Sequence, residues 1–407
     1  MNTPSHRTRG QRGQTLVVVA LAMVPLLIMV GLVVDGGYAF TQQRRTQNAM
    51  DAAANAGAVV MVQNLPFRVR GQTQPRSDAD VKNEIVAVAN TNGVADTLPT
   101  AVYTDIDGNP LAGPVVVGSL GGDPPPNGAY GVEVGGSISF GTFFSGVAGF
   151  SGFTASAKAT AIAGAITNIC AASDPCGFIP VTFPTALTTC TGTNAQTAWG
   201  SGGAYALTDN PVAATEVIIP LCGTANGTVG WLNIEPDNPA CHGEGAAELA
   251  CNILAPVRQS LSLPVWIDAY SGNINSAGVQ NALNTFTGPT PGLYEPGLDK
   301  IVQIPLYDCI DNNIPQGSPG PACPTPALVG VGTNTSYRVV AIGAMILDKA
   351  YIQANNPECN EAPGSPPAGG NGSTGCLKGW LTQIVTTGTV GIPTSPDGTV
   401  WGVQLIR

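Results

Sequence analysis

An uninterrupted apolar run, Thr15–Val34, lies near the N-terminus and reads TLVVVALAMVPLLIMVGLVV. A helix of this length rises by about 30 Å, which matches the hydrocarbon core of a bilayer. Arg7, Arg9 and Arg12 precede the run, and this basic flank favours a cytoplasmic N-terminus. The pattern therefore predicts a transmembrane helix over residues 15–34, preceded by a basic cytoplasmic segment, residues 1–14.

A cleaved signal peptide is the alternative interpretation of the apolar run. Signal peptides have a shorter apolar region that is followed by a cleavage site made of small residues. Here the run is longer, and DGGYAF follows it without such a site. We therefore expect a retained, single-pass anchor in the plasma (inner) membrane, which contacts the lipid bilayer through residues 15–34.

The segment after the anchor, residues 35–65, becomes rich in alanine and predicts a helical extension. Small and apolar residues recur in it at helical spacing, and Ala53 and Gly57 form a small-xxx-small pair, which allows close helix packing. The two glycines of DGGY are expected to loosen the junction with the anchor, and the helix formers continue as far as Pro66. The alanine face lies either on the chain's own domain or in a helix bundle shared with partner subunits.

Residues 66–168 predict a first extracytoplasmic α+β domain. The apolar positions of Asp78–Asn92 recur at helical spacing, so this segment is expected to be a helix. Strand-like patterns follow at residues 101–104, 114–117 and 130–140. Asp105 lies in a segment that is similar to the start of a calcium loop, but the glycine and glutamate that such a loop requires are replaced, so we expect a turn.

Residues 169–407 predict a second, cysteine-rich and strand-rich extracytoplasmic domain, because every cysteine of the chain lies in this region. An even number of cysteines indicates disulfides and an oxidising compartment, and hence a C-terminus outside the cytoplasm. Neighbours in sequence give the close pairs Cys170/Cys176, Cys241/Cys251, Cys309/Cys323 and Cys359/Cys376, with Cys190 and Cys222 left over. The sequence does not fix the connectivity. The alternative of a zinc site lacks any C-x2-C pair, and His242 beside Cys241 is expected to be a surface residue.

Local patterns in this region predict several strands and two helices. The strands are expected at residues 217–221, 229–234, 263–269, 301–307, 337–346 and 400–406. The helices are expected at residues 245–254 and 276–285, and residues 377–386 fit either a helix or a strand.

Composition and charge restrict the classes of function. The chain has 407 residues, of which 52 are glycine and 34 are proline, so a mainly helical protein is excluded. Its formal net charge of -10 argues against nucleic-acid binding. The net charge comes entirely from the region after residue 169, where solubility accounts for it.

Several motifs resemble those of one protein family. They are Arg12-Gly13-Gln14, the apolar helix, Asp35–Tyr38, the Gln/Arg stretch Gln42–Gln47 and the alanine-rich Asp51–Ala58. In this order they are similar to the N-terminal segment of TadG-related proteins in the TadE/TadG-like group of the Flp (tight-adherence) pilus machinery. Looser similarities to the family occur at Val132–Val134, Phe143-Phe144, Ala155–Ala161, Pro305–Asp308, Tyr337–Ala341 and Cys376–Trp380.

The resemblance implies a pilus-assembly protein, with one departure from prepilin-like relatives. Those relatives are cut after a glycine and have glutamate at the fifth mature position. If Gly13 were that glycine, the fifth position would be Val18. The resemblance therefore implies an anchor that is not processed, with other pilus or envelope proteins as partners.

No sequence constellation predicts catalysis. The chain contains no nucleophile elbow, P-loop or dinucleotide-binding fingerprint. We therefore expect a non-enzymatic protein without catalytic, cofactor-binding or metal-binding residues and without a cofactor. The leading hypothesis is a structural or assembly role outside the cytoplasm. A membrane-anchored adhesion module that binds a polymer or host ligand, and a membrane-tethered hydrolase with paired carboxylates, are the alternatives.

Overall fold

The structure, a computed structural model, divides into two compact units. Unit 1 comprises residues 1–57, 77–161 and 405–407, and unit 2 comprises residues 58–76 and 162–404. These bounds differ from the predicted domain ranges. The residues that the structure describes are 12–94, 99–149, 151–167, 179–184, 186–188, 195–198, 216–222, 231–234, 241, 245–254, 263–269, 276–287, 301–311, 314–315, 317–318, 336–352, 373–387, 389–393, 398 and 400–406.

The first helix, α1, is one continuous element of 58 residues, Arg12–Val69. The expectation that the glycines of DGGY loosen a junction is wrong, because helix-forming residues on both sides propagate the helix through them. The predicted end before Pro66 is also wrong. Proline removes one helical hydrogen bond but does not end the helix here. The chain leaves the helix at Gly71, whose φ of 67° is the left-handed conformation common after helix ends.

Unit 1 packs two helices against an antiparallel sheet. Helix α2, Asp78–Thr91, begins with a capping box between Ser77 and Asp80, and it matches the predicted helix. The strands that unit 1 contributes to its sheet are β1 (Thr100–Thr104), β2 (Gly131–Gly141) and β3 (Gly152–Ile166), and the last residues of β3 belong to unit 2. The segment predicted as a strand at residues 114–117 forms only an isolated bridge between Val102 and Val116.

The core of unit 1 is formed by apolar side chains of both helices and of the sheet. Those that are fully or almost fully buried include Met50, Ala53, Ala54, Val81, Ile85, Ala89, Tyr103, Val132 and Val134. Since the helical residues of this set recur at intervals of three or four and those of β2 at intervals of two, each element turns one apolar face to the same core.

The strands that follow β3 are mainly in unit 2. They are β4 (Phe183–Pro184), β5 (Ala186–Thr188), β6 (Ala195–Ala198), β7 (Val217–Cys222), β8 (Val265–Asp268), β9 (Ile301–Asp311), β10 (Ser336–Tyr351), β11 (Ser373–Thr382), β12 (Ile384–Thr387), β13 (Val390–Gly391) and β14 (Val400–Ile406). The main sheet has the order β4-β9-β10-β11-β7, with β8 also paired to β10. The two helices of unit 2 are α3 (Ala246–Leu254) and α4 (Ala277–Asn284), close to their predicted positions.

Strand β10 lies at the centre of this sheet because it is apolar and buried along nearly its whole length. It pairs antiparallel with β9 on one side and with β11 on the other. The ambiguous segment at residues 377–386 is extended, since β11 completes the ladder between β10 and β7. Of the segment predicted as a strand at residues 229–234, the structure describes residues 231–234, and these form isolated bridges at Trp231 and Leu232.

Candidate functional site at the end of the apolar run

The carboxylate of Asp35 binds one loop of unit 1 at the point where the apolar run of α1 ends. Its Oδ1 accepts a hydrogen bond from the backbone N–H of Phe143 at 2.8 Å. Its Oδ2 accepts from the backbone N–H of Phe144 at 3.0 Å, and from both the N–H and the hydroxyl of Ser145 at 2.6 Å. Asp35 is only 3% exposed. We call Asp35 together with residues 142–149 the Asp35 clamp.

The loop of the clamp presents its donors because it forms a short 3-10 turn, Ser145–Ala148. The first N–H groups of such a turn have no partner within the turn, so they are available to an outside acceptor. Gly149 ends the turn with a φ of 91°, a conformation that favours glycine. A buried carboxylate therefore replaces water as the partner of three consecutive backbone donors.

These hydrogen bonds keep Asp35 ionised. The Ser145 hydroxyl contributes most, and together with the backbone N–H groups it lowers the pKa of Asp35 to about 2 although burial acts in the opposite direction. A depressed carboxyl pKa stabilises the folded state above the ordinary pKa of this group, and that contribution is lost as the pH falls towards 2. The clamp is therefore expected to stay intact at neutral and mildly acidic pH.

Aromatic side chains surround the clamp. The ring of Tyr38 packs edge-on against the rings of Phe140 and Phe143, with centroids 5.4 and 5.3 Å apart. The loop also reaches back along α1, since a Cβ built on Gly31 would lie 2.5 Å from the Cβ of Phe144. Only glycine at position 31 therefore leaves room for Phe144 beside the helix.

The glutamines of the Gln/Arg stretch extend the same contact along α1. The side-chain amide of Gln43 donates to the carbonyl of Ser156 at 2.8 Å, and that of Gln47 donates to the carbonyl of Lys158 at 3.2 Å. Both carbonyls belong to β3, so the stretch binds strand backbone within unit 1. The sequence motif from Asp35 to Gln47 thus attaches the helix to the domain that follows it.

The small-residue pair predicted for helix packing lies inside unit 1. Ala53 is fully buried. A Cβ built on Gly57 would lie 2.8 Å from the side chain of Ile85 and 3.0 Å from that of Val132. The chain's own α2 and β2 therefore occupy the face that Gly57 leaves open.

A second buried carboxylate, Asp78, organises the start of α2. It accepts hydrogen bonds from the hydroxyl of Tyr103 at 2.6 Å and from the backbone N–H groups of Gly118 at 2.7 Å, Leu120 at 2.6 Å and Gly121 at 3.2 Å. Burial, together with the bond to Asp78, raises the pKa of Tyr103 far above its ordinary value. Asp78 thus fixes a long loop between β1 and β2 to the end of a helix.

Unit 2 contains two neighbouring carboxyl groups, the partly buried Glu216 and the buried Asp348. Burial raises the pKa of Glu216 to about 7, and the hydrogen bond with Asp348 and the charge of that residue act in the same direction. The positive charges of Lys378, whose Nζ lies 4.0 Å from Glu216 Oε2, and of Lys349 act in the opposite direction.

This pair predicts a dependence of stability on pH. Because the pKa of Glu216 is raised in the folded state, folded unit 2 retains a proton that the unfolded chain releases between about pH 4.5 and 7. The free energy of unfolding should therefore fall as the pH rises through this range, with a slope that corresponds to the release of up to one proton on unfolding. Urea unfolding of the full chain in detergent can measure it by tryptophan fluorescence, since all five tryptophans follow residue 198. Glu216→Gln should flatten this slope, whereas the exposed control Glu84→Gln should leave it unchanged. A slope that persists in Glu216→Gln would refute the assignment.

The cysteines for which the structure describes the bonding are Cys241, Cys251, Cys309 and Cys376, and all of them are disulfide-bonded. Cys241 pairs with Cys251 and so joins the segment before α3 to that helix.

The other predicted disulfide cysteines are not all within the described part of the chain. Cys222 ends β7. Five more cysteines lie outside the described residues, namely Cys170, Cys176, Cys190, Cys323 and Cys359. The predicted surface residue His242 also lies outside them. The close pairs Cys170/Cys176, Cys309/Cys323 and Cys359/Cys376 each include at least one of these five, so these three pairings stay predictions.

Among the described residues, no three His, Cys, Asp or Glu side chains are placed to hold a metal ion. The carboxylate of Asp105 accepts from the backbone N–H groups of Asp107 at 3.0 Å and Asn109 at 2.8 Å, which is the geometry of a turn. A pocket of unit 2 is lined by apolar side chains, among them Ile166, Val340 and Val400.

Comparison with known proteins finds a family model that the N-terminal segment resembles. Residues 13–60 match the family model described as "Putative Flp pilus-assembly TadE/G-like". No curated protein and no solved structure matches the chain. The match includes the apolar run, Asp35, both glutamines that bind β3, and the Ala53/Gly57 pair. Residues 13–60 of this chain are therefore similar to the TadE/G-like Flp pilus-assembly family.

Proposed function

We propose that the protein is a single-pass, inner-membrane component of Flp pilus assembly with a structural or assembly role outside the cytoplasm. The observation that carries the proposal is that the family segment coincides with an apolar helix whose end is attached to a folded unit through Asp35. The proposed topology has a cytoplasmic N-terminus and extracytoplasmic units.

The surface of α1 supports the membrane anchor. Among the described residues, α1 is the one helix long and apolar enough to cross a bilayer. Leu16, Leu21, Leu26 and Leu32 are each more than 60% exposed, so the protein does not cover the apolar run. So much contiguous exposed apolar surface is unfavourable in water and is stable in a bilayer.

We also propose that the role is not enzymatic. The carboxylates of Asp35 and Asp78 are occupied by backbone donors. Carboxylates in these arrangements hold elements of the fold together. The partners that this role implies are other pilus or envelope proteins.

Complementation in the host tests the pilus role. A strain that lacks the chain should form no Flp pili, and the full chain should restore them. A variant in which a cleaved signal peptide replaces residues 1–34 should export both units and still fail, because the anchor is missing. Normal pili in the deletion strain would refute the role. Normal pili with lost attachment to surfaces would instead favour the adhesion module.

Protease accessibility tests the topology in the same strain. Spheroplasts should expose unit 2 to added protease, and denatured protein should contain protected thiols. Free thiols in a protease-resistant chain would reverse the proposed orientation.

A further inference from the structure

Large apolar side chains are exposed on the aromatic loop of the Asp35 clamp and beside it, near the end of the apolar run. Phe143 is 66% exposed, Phe144 is 46% exposed, and Phe153, which follows the loop on β3, is 40% exposed. On the helix itself, Phe40 is 70% exposed. These apolar side chains belong to two segments that are about a hundred residues apart in sequence, yet they surround the same stretch of α1.

The position of this loop along α1 is fixed by two contacts. Asp35 holds the backbone of residues 143–145, and Phe144 lies against Gly31. Gly31 lies within the apolar run, four residues before Asp35. At the helical rise, this places Gly31 about 6 Å further into the run than Asp35. If Gly31 lies in the bilayer, Phe144 must lie there as well.

We propose that the loop at residues 142–149 is a second membrane contact, which inserts Phe143 and Phe144 into the extracytoplasmic leaflet beside α1. The proposal rests on the membrane anchor stated above, and its occupant is lipid. The membrane is the expected occupant because the exposed rings of Phe143 and Phe144 are held at Gly31 and Asp35, where the exposed apolar surface of α1 ends.

The polar groups of the loop are compatible with this depth. Backbone donors that enter a bilayer must be satisfied within the protein. The N–H groups of residues 143–145 bind the Asp35 carboxylate, whose charge is in turn compensated by four hydrogen bonds and removed from solvent. The N–H of Gly149 bonds to the carbonyl of Gly146 at 3.1 Å.

The aromatic side chains around Asp35 are also typical of protein segments at a membrane interface. Aromatic side chains concentrate at the interface, and interfacial segments bury apolar side chains about 5–10 Å into it. Tyr38 lies three residues beyond Asp35, about 4.5 Å on the aqueous side, and its ring packs edge-on against Phe143 of the loop. With the loop attached, the helix would be fixed in depth and rotation relative to unit 1.

Photocrosslinking of the full chain tests the proposal. The photoreactive residue benzoylphenylalanine is placed in turn at Leu26, Phe143 and Asp107, and each protein is reconstituted in vesicles of phosphatidylethanolamine and phosphatidylglycerol. Leu26 reports the anchor, and the exposed Asp107 reports the aqueous surface of unit 1. We expect lipid adducts at positions 26 and 143 in a yield several-fold above that at position 107.

The other outcomes separate the two proposals. Lipid adducts at position 26 together with a yield at position 143 no higher than at position 107 would overturn the loop contact and leave the anchor in place. Background yields at all three positions would overturn the anchor itself. Protein–protein adducts in place of lipid adducts at position 143 would assign the aromatic loop to a second copy and overturn the lipid contact.

A second variant checks that the probe reports the native loop. Combining benzoylphenylalanine at position 143 with Asp35→Ala removes the acceptor that holds the loop, and the lipid yield should fall several-fold. A yield unaffected by Asp35→Ala would mean that the probe partitions into lipid by itself, and it would overturn the proposal that the clamp sets the depth of the loop.

Discussion

Replacing Asp35 with alanine should release the loop at residues 142–149 from α1. The substitution removes the single acceptor of three backbone N–H groups and of the Ser145 hydroxyl. Hydrogen bonds to a charged group are among the stronger ones in proteins, so we expect the amides of residues 143–145 to exchange with solvent on the order of a hundredfold faster. Hydrogen exchange followed by mass spectrometry, on the full chain in detergent, measures this rate.

A graded series identifies the cause of that change. Ser145→Ala removes only the hydroxyl donor and should accelerate exchange less than Asp35→Ala does. Asp35→Asn keeps a carbonyl acceptor but loses the charge, so its effect should be intermediate. The exchange of α2 in the same samples serves as the control for global unfolding. Unchanged exchange of the loop in Asp35→Ala would show that the carboxylate does not hold it.

The helices show how far local sequence predicts this fold. The apolar periodicity of residues 78–92 predicts α2 closely, because this signal is local, and the capping box at Ser77 fixes where the helix begins. Helix α1 extends through Gly36, Gly37 and Pro66, where breaker residues predict interruptions. Those residues do not stop the helix, because the neighbouring turns consist largely of strong helix formers.

The extended segments depend more on distant partners. Residues 377–386 have no decisive local preference, and their strand partners make them extended. Strands β7 and β10 flank β11, which includes residues 377–382, and β12, which includes residues 384–386, pairs with β14. Residues 114–117 have the composition of a strand but contribute only a bridge to β1. The pairing of strands is determined by long-range packing, which periodicity within one segment does not contain.

The sequence contains both parts of the Asp35 clamp but does not show that they are in contact. The Asp-Gly-Gly-Tyr motif and the Phe143-Phe144 pair each resemble the family, but no local pattern links them, since Asp35 and Phe143 are 108 residues apart. A charged residue directly after an apolar run suggests a membrane boundary. Its role as an acceptor for a distant loop follows only from the three-dimensional contacts.

Replacing Asp78 with alanine should have the largest effect on the stability of unit 1. The carboxylate is fully buried, and its loss leaves the hydroxyl of Tyr103 and the N–H groups of Gly118 and Leu120 without this acceptor. A buried donor that loses its partner costs about 1–3 kcal/mol, so we expect the free energy of unfolding to fall by about 4 kcal/mol in total. The exchange of the buried amides of β1 in the full chain measures this free energy, because they exchange only when unit 1 opens.

Two matched variants separate the hydrogen-bond cluster from a general effect of substitution. Tyr103→Phe removes one of the four donors to Asp78 and keeps the aromatic ring, so a loss of about 1 kcal/mol is expected. Asp107→Ala alters an exposed carboxylate of the neighbouring turn and should change the stability by less than about 0.5 kcal/mol. If Asp78→Ala costs no more than Asp107→Ala, the cluster does not hold the loop between β1 and β2. If the loss of stability decreases in the order Asp78→Ala, Tyr103→Phe, Asp107→Ala, the buried carboxylate of Asp78 fixes the loop between β1 and β2 as Asp35 fixes the aromatic loop. Both long loops of unit 1 are then attached to helices by the same chemistry.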